Sequence, residues 1–149
     1  MKPDSITYFA YGANLDRHGM QLRCPGCRPL SRAVLPDHRL VFRGAADIEA
    51  CTGESVHGAL YRVTPDGLAA LDRFESYPRF YTRKTVSVLP ESREPVAAVV
   101  YQMAKRKGQG PPWDGYLDII IGGCRDWGIP EAYIRTVIKA AAASYFGGQ

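Results

Sequence analysis

Residues 74–81 read "FESYPRFY" and set one carboxylic acid among aromatic side chains. Glu75 has Phe74, Tyr77, Phe80 and Tyr81 as close neighbours in the chain. A carboxyl group packed against such residues is partly desolvated, which disfavours its charge and raises its pKa. An acid tuned toward neutrality can take up a proton and return it, which is the work of a general acid/base. The flanking Arg73 and Arg79 also allow an ordinary glutamate in a solvated turn. From composition alone that plainer outcome is the commoner one.

A second stretch with chemical potential is "YGANL", residues 11–15, which follows the apolar run "ITYFA". Small residues at the end of a strand leave backbone N–H groups exposed. Such groups, leading into a helix, can hold a carboxylate. Gly12 permits backbone angles that other residues resist. Asn14 can fix the loop through its side chain or accept a left-handed turn. Taken alone, the pentapeptide is a turn with a hint of anion binding.

Other chemistry is sparse. The pair Cys24 and Cys27 in "CPGC" has the spacing of a zinc or thiol-exchange motif. A structural zinc site needs about four ligands. Cys51 and Cys124 stand alone, and His18, His38 and His57 have no partner at ligand spacing. The pair therefore reads as a Pro-Gly turn between two small residues, with the other cysteines as core filler. The stretch "GESVHG" is a poor match to a nucleophile elbow. No glycine loop with a lysine is present to cradle phosphate, and no repeated acidic cluster to hold magnesium or calcium. An enzyme built on this chain is expected to use neither metal nor cofactor.

The chain has 149 residues, which fits a single domain spanning 1–149. With 46% hydrophobic and 23% charged residues, a packed core is expected. The formal charge is +4, and the one basic cluster, Lys105, Arg106 and Lys107, lies in a glycine-rich stretch. It reads as a solvated loop rather than a nucleic-acid surface, so no nucleic acid partner is expected. No run is long and apolar enough to span a bilayer. The N-terminus lacks the pattern of a signal peptide. The expectation is a cytoplasmic protein with reduced cysteines and no membrane partner. Nothing in the sequence specifies an oligomeric state.

The elements that must position these groups are β-rich in the first half. Residues 6–11 read as a strand. "DRHGMQLRC" reads as a short helix with Asp16 near its start and Pro25 as its stop. "LSRAVLPDHRLVFRG" predicts two short strands around a Pro-Asp turn, and "VHGALYRV" another strand. In "TPDGLAALDRFES", Thr64 is a good N-cap and Pro65 suits the first helical position. Leu68, Leu71 and Phe74 follow at helical spacing, which puts Glu75 at the end of a short helix. "FYTRKTVSVLP" and "PVAAVVYQM" predict two more strands. From Trp113 the chain turns helical, with one helix ended by Gly128 and a last one opened by Pro130 and closed by Gly147 and Gly148. The sum is an α+β domain with a small, strongly curved mixed β-barrel of about six strands flanked by helices.

Four stretches in this order, "YFAYGANL", "HGALYRVTPDGLAALDRFE", "YTRKTVSV" and "PPWDGYLDIIIGGCRDWGIPEAYI", resemble the gamma-glutamylcyclotransferase family and its AIG2-like relatives. The resemblance runs over roughly residues 6–135. It implies a small mixed β-barrel and an enzyme acting on a small-molecule gamma-glutamyl substrate. There the glutamyl alpha-amine attacks the side-chain amide of the same residue, giving 5-oxoproline and a free amine or amino acid. By the same resemblance Glu75 matches the catalytic acid/base. Tyr11, Gly12, Ala13, Asn14 and Leu15 match the loop that holds the glutamyl part, and Tyr81 and Tyr116 match tyrosines lining the site. Glutathione, gamma-glutamyl amino acids, gamma-glutamyl amines on lysine and gamma-glutamyl-protected biosynthetic intermediates all belong to the implied class. The loop's usual serine is Ala13 here, which leaves open a catalytically silent ligand-binding module on the same fold.

Overall fold

The structure is a computed structural model and describes residues 5–92, 94–105 and 108–143. Arg106 and Lys107 of the basic cluster, and the glycines expected to close the last helix, lie outside the described residues. Five strands form a closed barrel: β1 (Ile6–Ala10), β2 (Arg28–Arg43), β3 (Ala45–Val63), β4 (Tyr81–Pro90) and β5 (Val96–Met103). Their order around the barrel is β1-β3-β2-β4-β5. A closed ring with an odd number of strands cannot be antiparallel throughout. The one parallel neighbour pair is β1 with β5, where Tyr8 stands opposite Val99. Phe9, Phe42, Ile48 and Tyr61 are fully buried in the core.

The barrel has five strands rather than the six expected, and the difference lies at Pro36-Asp37. The two short strands expected there are halves of the single strand β2. Asp37 adopts φ 58° and its Oδ1 accepts a bond of 3.0 Å from Gly53 N–H, so the step bulges instead of reversing. The chain reverses later, at Gly44, and β3 runs alongside for 19 residues. Only its second half has the apolar alternation of a strand. The first half is small and acidic, and bonds from β2 and β5 support it. Asp47, fully buried, accepts from Arg43 Nε at 3.0 Å and from Met103 N–H at 2.9 Å.

Helix α1 (Arg17–Arg23) is capped by Asp16, whose carboxylate accepts from Gly19 N–H. Helix α2 (Pro65–Phe74) starts as expected, with Thr64 Oγ1 accepting from Gly67 N–H at 3.0 Å. Helix α3 (Tyr116–Asp126) begins three residues after Trp113, because Gly115 takes the left-handed conformation and Trp113 N–H is bonded to Gly44 C=O. A final stretch runs through α4 (Glu131–Tyr133), a π-helical segment (Ile134–Lys139) and α5 (Ala140–Ala143). Among the described residues no helix is long and apolar enough to cross a membrane.

Helix α3 clamps the loop after β1. Trp127 Nε1 donates to Leu15 C=O at 2.9 Å, and Leu15 is fully buried. Gly123 allows the close approach, since a Cβ there would stand 2.7 Å from the Leu15 carbonyl carbon and 2.9 Å from Asp16 N. Alanine normally favours a helix interior over glycine by about 1 kcal/mol. Here overpacking against backbone outweighs it. Gly123→Ala is expected to lower stability by about 1–3 kcal/mol in urea denaturation.

Candidate active site

Glu75 owes its position to the way α2 ends. Tyr77 N–H bonds to Asp72 C=O and Ser76 N–H to Arg73 C=O, the paired bonds of a Schellman motif. Glu75 is the cap residue, and Ser76 follows it at φ 54°. The turn projects the carboxyl group toward the end of the barrel where β1 and β5 finish.

The loop meets it there. Residues Ala13–Leu15 form one 3₁₀ turn, with Leu15 N–H bonded to Gly12 C=O. The N–H groups of Ala13 and Asn14 head the turn and have no bond within it. That of Ala13 faces the Tyr116 hydroxyl. Asn14 is buried, and its side chain is fully engaged. Arg23 Nη1 donates to Asn14 Oδ1 at 2.7 Å. A guanidinium can only donate, so the amide nitrogen must face the other way. That nitrogen donates to the Tyr8 hydroxyl at 2.9 Å and to Glu75 Oε1 at 3.3 Å. Tyr61 OH holds the loop from beneath through Asn14 C=O at 3.0 Å.

A cavity of about 360 Å³ opens between these groups. It falls within the size range of small-molecule sites. Glu75, Tyr11, Gly12, Ala13, Asn14, Tyr81 and Tyr116 line it; Leu15 does not, being turned into the core under Trp127. Tyr81 OH donates to Ala46 C=O at 2.6 Å, and Tyr116 OH accepts from Ala46 N–H at 3.1 Å. One residue of β3 thus orients both phenols. Tyr11 OH is used on Tyr101 C=O at 2.8 Å, so its ring rather than its proton faces the cavity. The mouth is aromatic, with Phe74, Phe80 and Trp113 exposed.

Burial is the largest influence on Glu75 and pushes its pKa up to about 7, against opposing effects of the Arg23 charge and the Asn14 hydrogen bond. A carboxyl group so poised exchanges its proton at neutral pH. The sequence reading passed over Tyr8, Arg23, Tyr101 and Ala46. Tyr8 had one signal: a phenol in the middle of a buried strand needs a partner. Arg23 and Ala46 had none, since their roles arise from contacts with distant parts of the chain.

The cysteine pair lies away from this cavity. Cys24 and Cys27 are buried free thiols, and burial first, then the neighbouring Cys27, pushes Cys24 up to about 11. A thiol so raised is a poor nucleophile at neutral pH. Among the described residues no group of three or more His, Cys, Asp or Glu gathers to hold a metal.

A family model described as "Gamma-glutamyl cyclotransferase, AIG2-like" matches residues 8–118. A Bos taurus protein named gamma-glutamylcyclotransferase is 27% identical, covering 97% of this chain and 83% of its own length. The Homo sapiens protein of the same name is 28% identical, over 98% and 84%. A solved structure named gamma-glutamyl cyclotransferase superposes with a TM-score of 0.83 at 27% identity, covering 91% of this chain and 87% of the other.

A ¹³C NMR titration of the Glu75 carboxyl is expected to show a midpoint near 7. Arg23→Gln removes a charge that favours the carboxylate, so the midpoint is expected to rise. A midpoint in the ordinary carboxylate range would contradict the desolvated environment.

Proposed function

Since this chain belongs to the gamma-glutamyl cyclotransferase, AIG2-like family, we propose that it cleaves a gamma-glutamyl amide by ring closure. The products are 5-oxoproline and a free amine or amino acid, and Glu75 is the general acid/base. The observation that supports this reading most is a carboxyl group with a pKa of about 7 at the wall of a 360 Å³ cavity, beside a loop of backbone N–H groups. We take the whole chain, 1–149, to act as one domain in the cytoplasm, where its thiols stay reduced.

The substrate alpha-carboxylate is held at the head of the loop by Ala13 and Asn14 N–H. The Tyr116 hydroxyl accepts from Ala46 N–H, so its proton is left to bind the same carboxylate. The Tyr81 hydroxyl spends its proton on Ala46 C=O and offers lone pairs to the alpha-ammonium. Glu75 as carboxylate removes a proton from that ammonium, and the amine attacks the side-chain carbonyl carbon. The C–N bond forms and the C=O pair moves onto oxygen. When the pair returns, the bond to the leaving nitrogen breaks and Glu75 gives its proton to that nitrogen. The ring nitrogen, left cationic by the attack, passes its second proton through Glu75 to the departing amine, so the products are a neutral lactam and an ammonium ion. Attack within one molecule needs only a folded substrate and this proton traffic.

Incubation with glutathione, gamma-glutamylalanine and Nε-(gamma-glutamyl)lysine, assayed for 5-oxoproline, tests the reaction. Rate should rise with pH through about 7, because the carboxylate is the form that starts the reaction. Glu75→Gln keeps the shape and removes the proton carrier, so kcat should fall by about 10²–10⁴-fold and this pH limb should vanish. Undiminished activity in that variant would end the mechanism.

Ala13 holds its place in the loop through its backbone, where its C=O accepts from Asp16 N–H at 3.1 Å. We propose that this position needs only a small side chain. Ala13→Ser should alter kcat/KM by less than about fivefold, within the ~1 kcal/mol of one hydrogen bond.

A further inference from the structure

Tyr8 sits on the floor of the cavity and is only 4% exposed. Its oxygen accepts from Asn14 Nδ2 at 2.9 Å, and the Arg23 bond to Asn14 Oδ1 fixes which end of the amide faces it. A tyrosine hydroxyl that accepts in this way still has its own proton to donate. Among the described residues no group accepts that proton. The ring is held in orientation by Tyr61, stacked at 6.4 Å, and by Tyr101, edge-on at 5.8 Å. The result is a buried, preoriented donor with nothing to donate to until the cavity is filled. Of the other phenols lining the cavity, Tyr11 donates to Tyr101 C=O, Tyr81 to Ala46 C=O and Tyr101 to Asp72 Oδ1, while the Tyr116 proton is assigned above to the alpha-carboxylate.

Resting on the cyclotransferase reading, we propose that Tyr8 is a further catalytic residue, whose hydroxyl donates a hydrogen bond to the gamma-carbonyl oxygen as it becomes an oxyanion. The position follows from the shared amide. Asn14 Nδ2 bonds both Tyr8 and Glu75 Oε1, so the donor and the acid/base lie on either side of one nitrogen. Glu75 must reach the nitrogens that join and leave the carbonyl carbon. The carbonyl oxygen is attached to that same carbon and falls within reach of a donor beside Glu75. Tyr116 stands with Ala13 and Ala46, where the reading above puts the alpha-carboxylate. Tyr8 keeps its proton through the reaction; it shares the proton with the oxygen while the tetrahedral centre exists and recovers it when the carbonyl re-forms. Burial, and next the Glu75 charge, hold its pKa well above the ordinary tyrosine value, so it acts as a donor and not as a second base.

The test is Tyr8→Phe, assayed with whichever of glutathione, gamma-glutamylalanine and Nε-(gamma-glutamyl)lysine the wild-type protein converts fastest to 5-oxoproline. Loss of one oxyanion donor is expected to lower kcat by about 10²–10³-fold. KM should move by less than about threefold, and the midpoint of the pH–rate limb should stay in place. A kcat within about threefold of wild type would overturn the proposal. So would a shifted midpoint with an unchanged plateau, because Tyr8 would then act only by positioning Asn14. A second measurement does not depend on the variant folding: a crystal structure of the wild-type protein with 5-oxoproline. Tyr8 Oη should lie within about 3.2 Å of the ring carbonyl oxygen; that oxygen placed against Tyr116 instead would overturn the assignment. A wild-type protein that forms no 5-oxoproline from any of the three compounds would remove the underlying reading and the Tyr8 role together.

Discussion

The side-chain amide of Asn14 is the junction on which the site depends. It is reached from three separate parts of the chain: Arg23 at the end of α1, Tyr8 on β1 and Glu75 at the end of α2. Each of its polar atoms has a partner, and the guanidinium dictates its orientation. A buried amide with one member of such a network missing would be costly, so the three segments must arrive together. The same junction balances Glu75. Burial favours the neutral acid, while the Arg23 charge and the amide N–H favour the carboxylate. The outcome near neutrality is the difference of these effects and belongs to no single contact.

Barrel topology brings the segments to one place. The parallel closure of β1 on β5 puts the ends of both strands at the same mouth, and Tyr11 OH reaches Tyr101 C=O across it. Strand β4 runs antiparallel to β5, so its first residue, Tyr81, is opposite Met103 at that mouth. The long β2–β3 hairpin supplies Ala46, whose C=O and N–H bond Tyr81 and Tyr116. Asp47, the next residue, is anchored by Arg43 and by Met103 N–H, which fixes the Ala46 peptide relative to β5. A buried ion pair of this kind contributes little net stability but is costly to break, which suits a part that must hold position.

Much of this was legible because it is local. The Thr64 cap, the proline after it and the leucine spacing locate α2 and leave Glu75 at its end. The small residues of "YGANL" mark a loop at a strand end. What escaped is what depends on distant partners. The Pro36-Asp37 step has the residues of a turn, yet Gly53 from the neighbouring strand turns it into a bulge within one strand. The first half of β3 lacks strand-like alternation because pairing, and not side-chain pattern, maintains it. Leu15 shares the pentapeptide with its neighbours but faces the core, because Trp127 and Gly123 hold the loop from that side. The resemblance to a known family covered the same residues without distinguishing the inward Leu15 from the rest.

Helices α2 and α3 end in the same motif, and the contrast between them is informative. At α3 the left-handed position is Gly128, with Ile129 N–H bonded to Cys124 C=O and Gly128 N–H to Arg125 C=O. At α2 the equivalent position is Ser76, where the left-handed conformation costs about 1 kcal/mol that glycine would avoid. The surrounding bonds over-determine it. Ser76 C=O accepts from both Arg79 N–H and Phe80 N–H at 2.9 Å, while Tyr77 N–H reaches back to Asp72. Asp72 itself holds Arg83 and Tyr101, so the turn is tied to β4 and β5 as well as to its own helix. Strain held by so many bonds is a mark of a position whose geometry matters more than its local energy. It lies one residue from Glu75 and lines the same cavity. The chain thus departs from its own rule for ending helices at the turn that aims the carboxyl group, and follows the rule where the helix only has to stop.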